Sequence, residues 1–215
     1  YKETLSREAL RDCSSLMSKK ELTAAERSRV YTLRGAAWMR EEEPMAAISD
    51  FSRAIRINSD DLAALKGRAQ AYASMKNYDM ALSDWSRIIA VQPNLEESFI
   101  ERAKINVAAR DIPAALADYD HVIKLNPKNP DAYIGKARIY GQLKRHDDAL
   151  LEFDKAIKVN PDYPALYLAR GEVFETLGDR KIAIESYQAV LKYEEAYWYA
   201  IRALQRLGGD WATHR

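Results

Sequence analysis

The stretch that decides the fold runs Ala149-Leu150-Leu151-Glu152-Phe153-Asp154-Lys155-Ala156-Ile157-Lys158-Val159-Asn160-Pro161. Its apolar residues Ala149, Leu150, Phe153, Ala156 and Ile157 fall three and four apart, the period of a helix with one buried face. Pro161 ends it, because a proline ring has no N–H to donate and crowds the preceding turn. The same order of small, aliphatic, aromatic and small residues recurs elsewhere. Ala47, Ala81, Ala115, Ala149 and Ala183 are spaced 34 residues apart. Each is followed by an aliphatic (Ile48, Leu82, Leu116, Leu150, Ile184) and four positions on by an aromatic (Phe51, Trp85, Tyr119, Phe153, Tyr187). Ala54, Ile88, Val122, Ala156 and Val190 complete the face.

Working outward, a second series marks the other half of each unit. Tyr31, Leu65, Phe99, Tyr133 and Tyr167 share the 34-residue step, and Gly35, Ala69, Ala103, Ala137 and Gly171 follow them. Both series have helical spacing, so each unit is predicted to be two helices. Pro93, Pro127 and Pro161 stop second helices, whereas Pro130 and Pro164 suit first turns. Asn94 and Asn129 are predicted N-caps, and Thr23 with Glu26 spells a capping box.

This order of large, small, alanine, aromatic and proline resembles the tetratricopeptide repeat. The resemblance implies an all-α fold, a right-handed superhelical solenoid of antiparallel helix pairs (an α-α superhelix). It covers 23–197 as five units, about 28–61, 62–95, 96–129, 130–163 and 164–197. Residues 1–22 are expected to form an orphan helix packing as a half repeat, with Cys13 buried in an alanine slot. A C-terminal capping helix is expected over 194–207, overlapping the end of unit five, and a tail over 208–215. Tyr193, Tyr197, Trp198 and Tyr199 read as the material of that cap, or alternatively as an aromatic docking patch.

Composition narrows the function. Thirty-three Lys and Arg against 32 Asp and Glu give a formal charge of +1, which argues against a dedicated nucleic-acid binder. No apolar run approaches the ~20 residues of a membrane-spanning helix, so no membrane insertion is expected. His121, His146 and His214 share no ligand spacing, and no phosphate loop, paired-cysteine motif or nucleophile elbow is present. The expectation is therefore no enzyme, no metal and no cofactor.

Two sets of residues carry the functional reading. Arg34, Arg68, Arg102, Lys136 and Arg170 stand just before the small residue of each first helix, and Asp50, Asp84, Asp118 and Glu152 just before the second-helix aromatic. They are expected to form a structural ladder of ion pairs, the alternative being a basic groove. Ser186 breaks the pattern in the fifth unit, leaving Arg170 to reach Glu185 or to stay free. In the family the first helix of each pair lines the concave face. Carried over, that places Lys66, Gln70, Ile100, Lys104, Ile134, Arg138 and Leu168 in a peptide-binding groove, the aliphatics either gripping a ligand or padding neighbouring helices. The family members that clamp chaperone tails use Lys and Asn on one first helix, Asn on the next, and Lys and Arg on a third. There this chain has Thr32 and Ala36, then Gly67, then Glu97 and Glu101, or, one unit on, Lys66 and Gln70, then Glu101, then Asp131 and Gly135, so that specialisation is not expected. The leading reading is a non-catalytic scaffold for a protein or peptide partner, as a monomer or with weak self-association. Alternatives are a regulatory or targeting region of a larger protein and, less favoured, an RNA-binding helical repeat. The repeat style suggests a bacterial protein, exported or periplasmic rather than cytoplasmic.

Overall fold

The computed structural model describes residues 2–18, 21–194 and 197–210, with side chains from Arg7 onward. These residues form twelve helices and no strand. They divide into two compact halves, Tyr1–Asp111 and Ile112–Arg215. The N-terminal half holds α1 (Lys2–Met17), α2 (Ala24–Arg40), α3 (Pro44–Ile57), α4 (Leu62–Ser74), α5 (Tyr78–Val91) and α6 (Glu96–Ala108). The C-terminal half holds α7 (Ile112–Leu125), α8 (Pro130–Gln142), α9 (His146–Val159), α10 (Pro164–Leu177), α11 (Arg180–Leu191) and α12 (Trp198–Leu207).

Local signals set the helix starts. At α2 the Glu26 N–H donates to Thr23 Oγ1 at 3.2 Å, and the Thr23 N–H donates back to Glu26 Oε2 at 2.8 Å. That hydrogen bonding holds the Glu26 carboxyl below its ordinary pKa. Side chains of Asp61, Asn77, Asn129 and Asp179 cap α4, α5, α8 and α11, and Pro44, Pro130 and Pro164 occupy first turns. Asn94 does not cap α6. Leu95 takes the N-cap position without a side-chain bond, because in the 34-residue register it is Leu95 that stands level with Asn129, while Asn94 stands one residue earlier, level with Lys128.

The turns joining paired helices repeat a feature that the residue types concealed. Glu42, Lys76, Arg110 and Lys144, each 34 residues from the next, adopt φ of 59°, 60°, 66° and 57°, and the fifth turn places Gly178 there at 81°. The left-handed residue lets the next N–H close back on the helix: Asn77 to Tyr72 O at 2.9 Å, Arg145 to Tyr140 O at 2.9 Å and Asp179 to Phe174 O at 2.9 Å. Four of the five turns bear a Cβ where glycine would be strain-free.

Packing follows the 34-residue series. The five alanines are fully buried, and Phe51, Trp85, Tyr119, Phe153 and Tyr187 are at most 4 % exposed. Burying each such ring contributes about 2 kcal/mol. In the N-terminal half a Cβ on Gly35 would stand 2.8 Å from the Phe51 ring, and one on Gly67 would overlap it, so Phe51 fills the space between its own pair and the next first helix. In the C-terminal half Gly135 lies under Tyr119 in the same way, and Gly171 under Tyr187. The tight glycine at Gly67 and Gly135 lies outside the predicted small-residue series.

Within each half successive helices pack on one another, and neighbouring first helices touch, α2 with α4 and α8 with α10. At the ends, Cys13 is 7 % exposed, with its thiol pKa raised by burial. α12 buries Ala200, Ala203 and Leu204. Tyr199 meets Tyr187 edge-on at 6.4 Å, as a cap should, and Tyr193 stacks on Tyr167 at 5.8 Å. Loss of solvent and the neighbouring Tyr167 push the Tyr193 phenol up to about 12. Trp198 departs from the capping expectation, being 62 % exposed. Among the described residues no helix is long and apolar enough to cross a membrane. His214 and residues 211–215 of the expected tail lie outside the described residues, as do 195–196 before α12.

Candidate interaction surface

The basic series at the first helices faces inward. Arg34 grips Asp50 with Nε and Nη2 at 2.6 and 2.8 Å, and Arg68 grips Asp84 at 2.8 and 2.7 Å. Arg68 also donates through Nη1 to Ser52 Oγ at 3.0 Å, so one guanidinium ties α3, α4 and α5. The hydrogen bond to its aspartate holds each of these guanidinium pKa values above the ordinary one. Lys136 makes the same three-helix tie in the C-terminal half, to Asp120 of α7 at 2.7 Å and Glu152 of α9 at 3.2 Å. Burial is the largest influence on Lys136 and lowers its pKa. The bond to Asp120 and the charges of Glu152 and Asp120 outweigh it and leave that pKa raised. Arg102 and Asp118 belong to different halves; within its own, Arg102 donates to Ser86 Oγ at 3.1 Å and lies over the Phe99 ring.

Arg170 breaks the series. Ser186 is fully buried and donates to Ile182 O at 2.6 Å, and Arg170 Nε is buried with no hydrogen-bond partner. The fifth pair has a different polar centre. The Tyr187 hydroxyl donates to Glu175 Oε2 at 2.8 Å, and Arg206 of α12 places Nε and Nη2 on Glu175 Oε1 at 2.9 and 2.6 Å. Burial, followed by that bond, raises the Tyr187 pKa.

The groove residues divide into exposed polar ones and packed aliphatic ones. Gln70 and Lys104 are exposed, Lys66 pairs with Glu97, and Lys104 pairs with Glu101 at 2.6 Å. In the C-terminal half Arg138 meets Glu172 at 3.1 Å. Ile100 and Ile134 are only 8 % and 9 % exposed and lie among packed side chains, and Leu168 is half-buried. Burial thus withdraws both isoleucines from an open surface, and Ile134 is part of the packed core of the C-terminal half. The paired cations sit at the surface, where such bridges contribute about 0–1 kcal/mol and a ligand carboxylate could exchange for the internal acid.

The N-terminal half carries an open hollow of about 550 Å³ that the groove assignment did not include. Its walls come from α2, the end of α3 and the start of α4. Leu33 and Ile57 are 55 % and 38 % exposed there, alongside Ala24, Ala25 and Ala63. Asp61 also lines it as a carboxylate held by neutral donors, Thr32 to Oδ2 at 2.9 Å and the Ala64 N–H to Oδ1 at 3.0 Å, which fix it in place without cancelling its charge. Arg29 is exposed at the rim, and no described hydrogen bond or ion pair engages it. Leu33 and Arg29 sit on the solvent side of a helix whose 34-residue markers are all inward-facing, so the repeat pattern gave no cue to them. Among the described residues no group of three His, Cys, Asp or Glu side chains is placed to hold a metal ion.

Models of the tetratricopeptide repeat match residues 106–173 and 164–197. Against the curated proteins no sequence matches. Among solved structures, a tetratricopeptide-repeat protein from Parabacteroides merdae superposes with a TM-score of 0.73 at 17% identity, covering 94% of this chain and 82% of that one. TTC0263, a thermophilic TPR protein of Thermus thermophilus, gives 0.60 at 19% identity, covering 84% and 98%. YrrB, described as a TPR protein with an unusual peptide-binding site, gives 0.54 at 16% identity, covering 83% and 92%. At such identities the likeness speaks for the fold, and the family models speak for the repeat itself. Residues 106–197 thus carry matched tetratricopeptide repeats, and the helix pairs and buried alanine series give the chain the fold of its tetratricopeptide-repeat neighbours.

Proposed function

We propose that the protein is a non-catalytic scaffold whose first-helix surfaces hold a peptide or protein segment of a partner. The fold itself supports a protein-binding scaffold. The observation that carries the finer reading is the hollow beside α2: exposed Leu33 and Ile57 offer apolar contact, and unpaired Arg29 stands at the rim. That chemistry suits a segment with an aliphatic side chain next to a carboxylate. Lys66, Gln70 and Lys104 extend a polar border in the same half, and Arg138 is a candidate contact in the other. YrrB, with its peptide-binding site, offers a precedent on the same fold.

The test is selection of a displayed linear-peptide library against the protein, followed by affinity measurement on the selected peptides. Aliphatic–acidic sequences are expected, and Leu33→Ser with Arg29→Glu should weaken them by about tenfold or more. Both side chains are exposed, so helicity should be unchanged. Selected peptides that bind the double variant equally well would refute the site.

A further inference from the structure

We infer that the outer face of α12 is a second docking site, independent of the hollow beside α2, for an acidic peptide segment of a partner protein. Trp198, Tyr199, Arg202, Gln205 and Arg206 line an open hollow of about 580 Å³ on this helix. Trp198 is 62 % exposed, more than any other aromatic among the described residues. An indole with an apolar body and one N–H donor is a side chain enriched at protein interfaces. The lining holds two guanidiniums and a carboxamide but no acidic side chain.

The charge pattern identifies the occupant. Surface cations of this chain are commonly matched to a nearby acid, as in Lys66 with Glu97, Lys104 with Glu101, Arg138 with Glu172 and Arg145 with Asp148. Within the hollow Arg206 is held by Glu175, whose other oxygen accepts the Tyr187 hydroxyl. Arg202 has no acid among the described residues. Its described contact is the face of Trp198, 6.0 Å from the ring centroid, which orients the guanidinium without neutralising it. Trp198 in turn meets the Tyr199 ring edge-on at 5.8 Å. From behind, Ala200, Ala203 and Leu204 are buried, and Arg180 Nε donates to Leu207 O at 2.6 Å, so the platform is fixed.

Helix geometry sets the spacing of the ligand. Trp198 and Arg202 are four residues apart, a rise of about 6 Å, which is roughly two residues of extended chain. The matching segment carries an aromatic or aliphatic side chain and, two positions on, a glutamate or aspartate. A nucleic acid is the poorer fit, since phosphate-backbone binding draws on several free cations and the described residues of this face offer one.

The experiment is fluorescence polarisation with a labelled peptide of repeated Phe-X-Glu, compared with the same peptide bearing Lys for Glu. The acidic peptide should bind, and rising salt should weaken it. Arg202→Glu and Trp198→Ala should each weaken it by about tenfold or more. The Leu33→Ser, Arg29→Glu variant should bind as wild type, so failure here and failure of the α2 hollow are read separately. Circular dichroism on the α12 variants checks that the fold is retained. No binding of the acidic peptide, equal binding of the lysine peptide, indifference to Arg202→Glu, loss in the α2 variant, or tighter binding of single-stranded oligonucleotide would each overturn the inference.

Discussion

The pair α4 and α5 and the pair α10 and α11 have the same shape and different polar chemistry. Arg68 holds Asp84 with two hydrogen bonds and reaches back to Ser52, joining three helices. Arg170, at the same place in the last pair, finds Ser186 turned to its own helix and has a buried Nε without a partner. Yet Ala81 and Ala183, Trp85 and Tyr187 are equally buried in the two pairs. Shape in this chain is thus enforced by small residues under rings, while the ion pair is a local addition. Where the last pair lacks it, Glu175 takes over, joining Tyr187 and Arg206 and so fastening α12.

Removing the acids should expose that difference most strongly. Asp84→Ala leaves a mostly buried guanidinium unpaired and should cost about 3 kcal/mol in urea unfolding. Ser186→Ala removes one neutral hydrogen bond and should cost about 1 kcal/mol or less. Equal costs would mean that the ladder is ornamental. The converse substitution, Ser186→Asp, supplies Arg170 with its missing acid and should gain about 1 kcal/mol. A double-mutant cycle with Arg170→Met should abolish that gain if the pair has formed.

Alkaline pH separates the rungs by chemistry. The Lys136 pKa is raised on folding, so its stabilisation is complete below the unfolded value near 10.4 and is lost as pH rises through the folded one. Tyr187, also raised, loses its contribution in the same direction. The arginine rungs stay charged throughout. Lys136→Arg should therefore keep more of its melting temperature than wild type between about pH 10 and 11.5. Identical profiles would show that Lys136 does not govern the window.

The smallest effect lies in the turns. Lys76 is left-handed where the last turn has Gly178. Lys76→Gly relieves about 1 kcal/mol of backbone strain against a somewhat smaller gain in unfolded-chain entropy, a net stabilisation of a few tenths of a kcal/mol. Gly178→Ala should lose a comparable amount. No atom stands within 4 Å of the added Cβ, so the loss is conformational alone. Thermal melts of both resolve the signs.

How far the residues alone could be read depends on what kind of regularity each feature had. Buried faces leave a periodic record, so helix pairs, the alanine slots and the inward turn of Arg34, Arg68 and Lys136 were legible. The left-handed turns were not, because Glu42, Lys76, Arg110 and Lys144 are residue types that give no sign of positive φ. Ile100 and Ile134 occupy positions that face a ligand in the family, and only the tertiary structure shows them buried. Trp198 reads as cap material by composition, but the amphipathic register of α12 turns Ala200, Ala203 and Leu204 inward and leaves the indole outside.

The sequence by itself determined that this protein is built from paired helices with a 34-residue period and that alanine-sized residues sit under aromatic rings. Spacing alone decides which side of a helix can be dehydrated. Only the tertiary structure decided which surface residues remain available to a partner: Arg29 and Leu33 beside one hollow, Trp198 and Arg202 beside another. Exposure and charge neutralisation depend on what neighbouring helices bring alongside, and chain order does not record that.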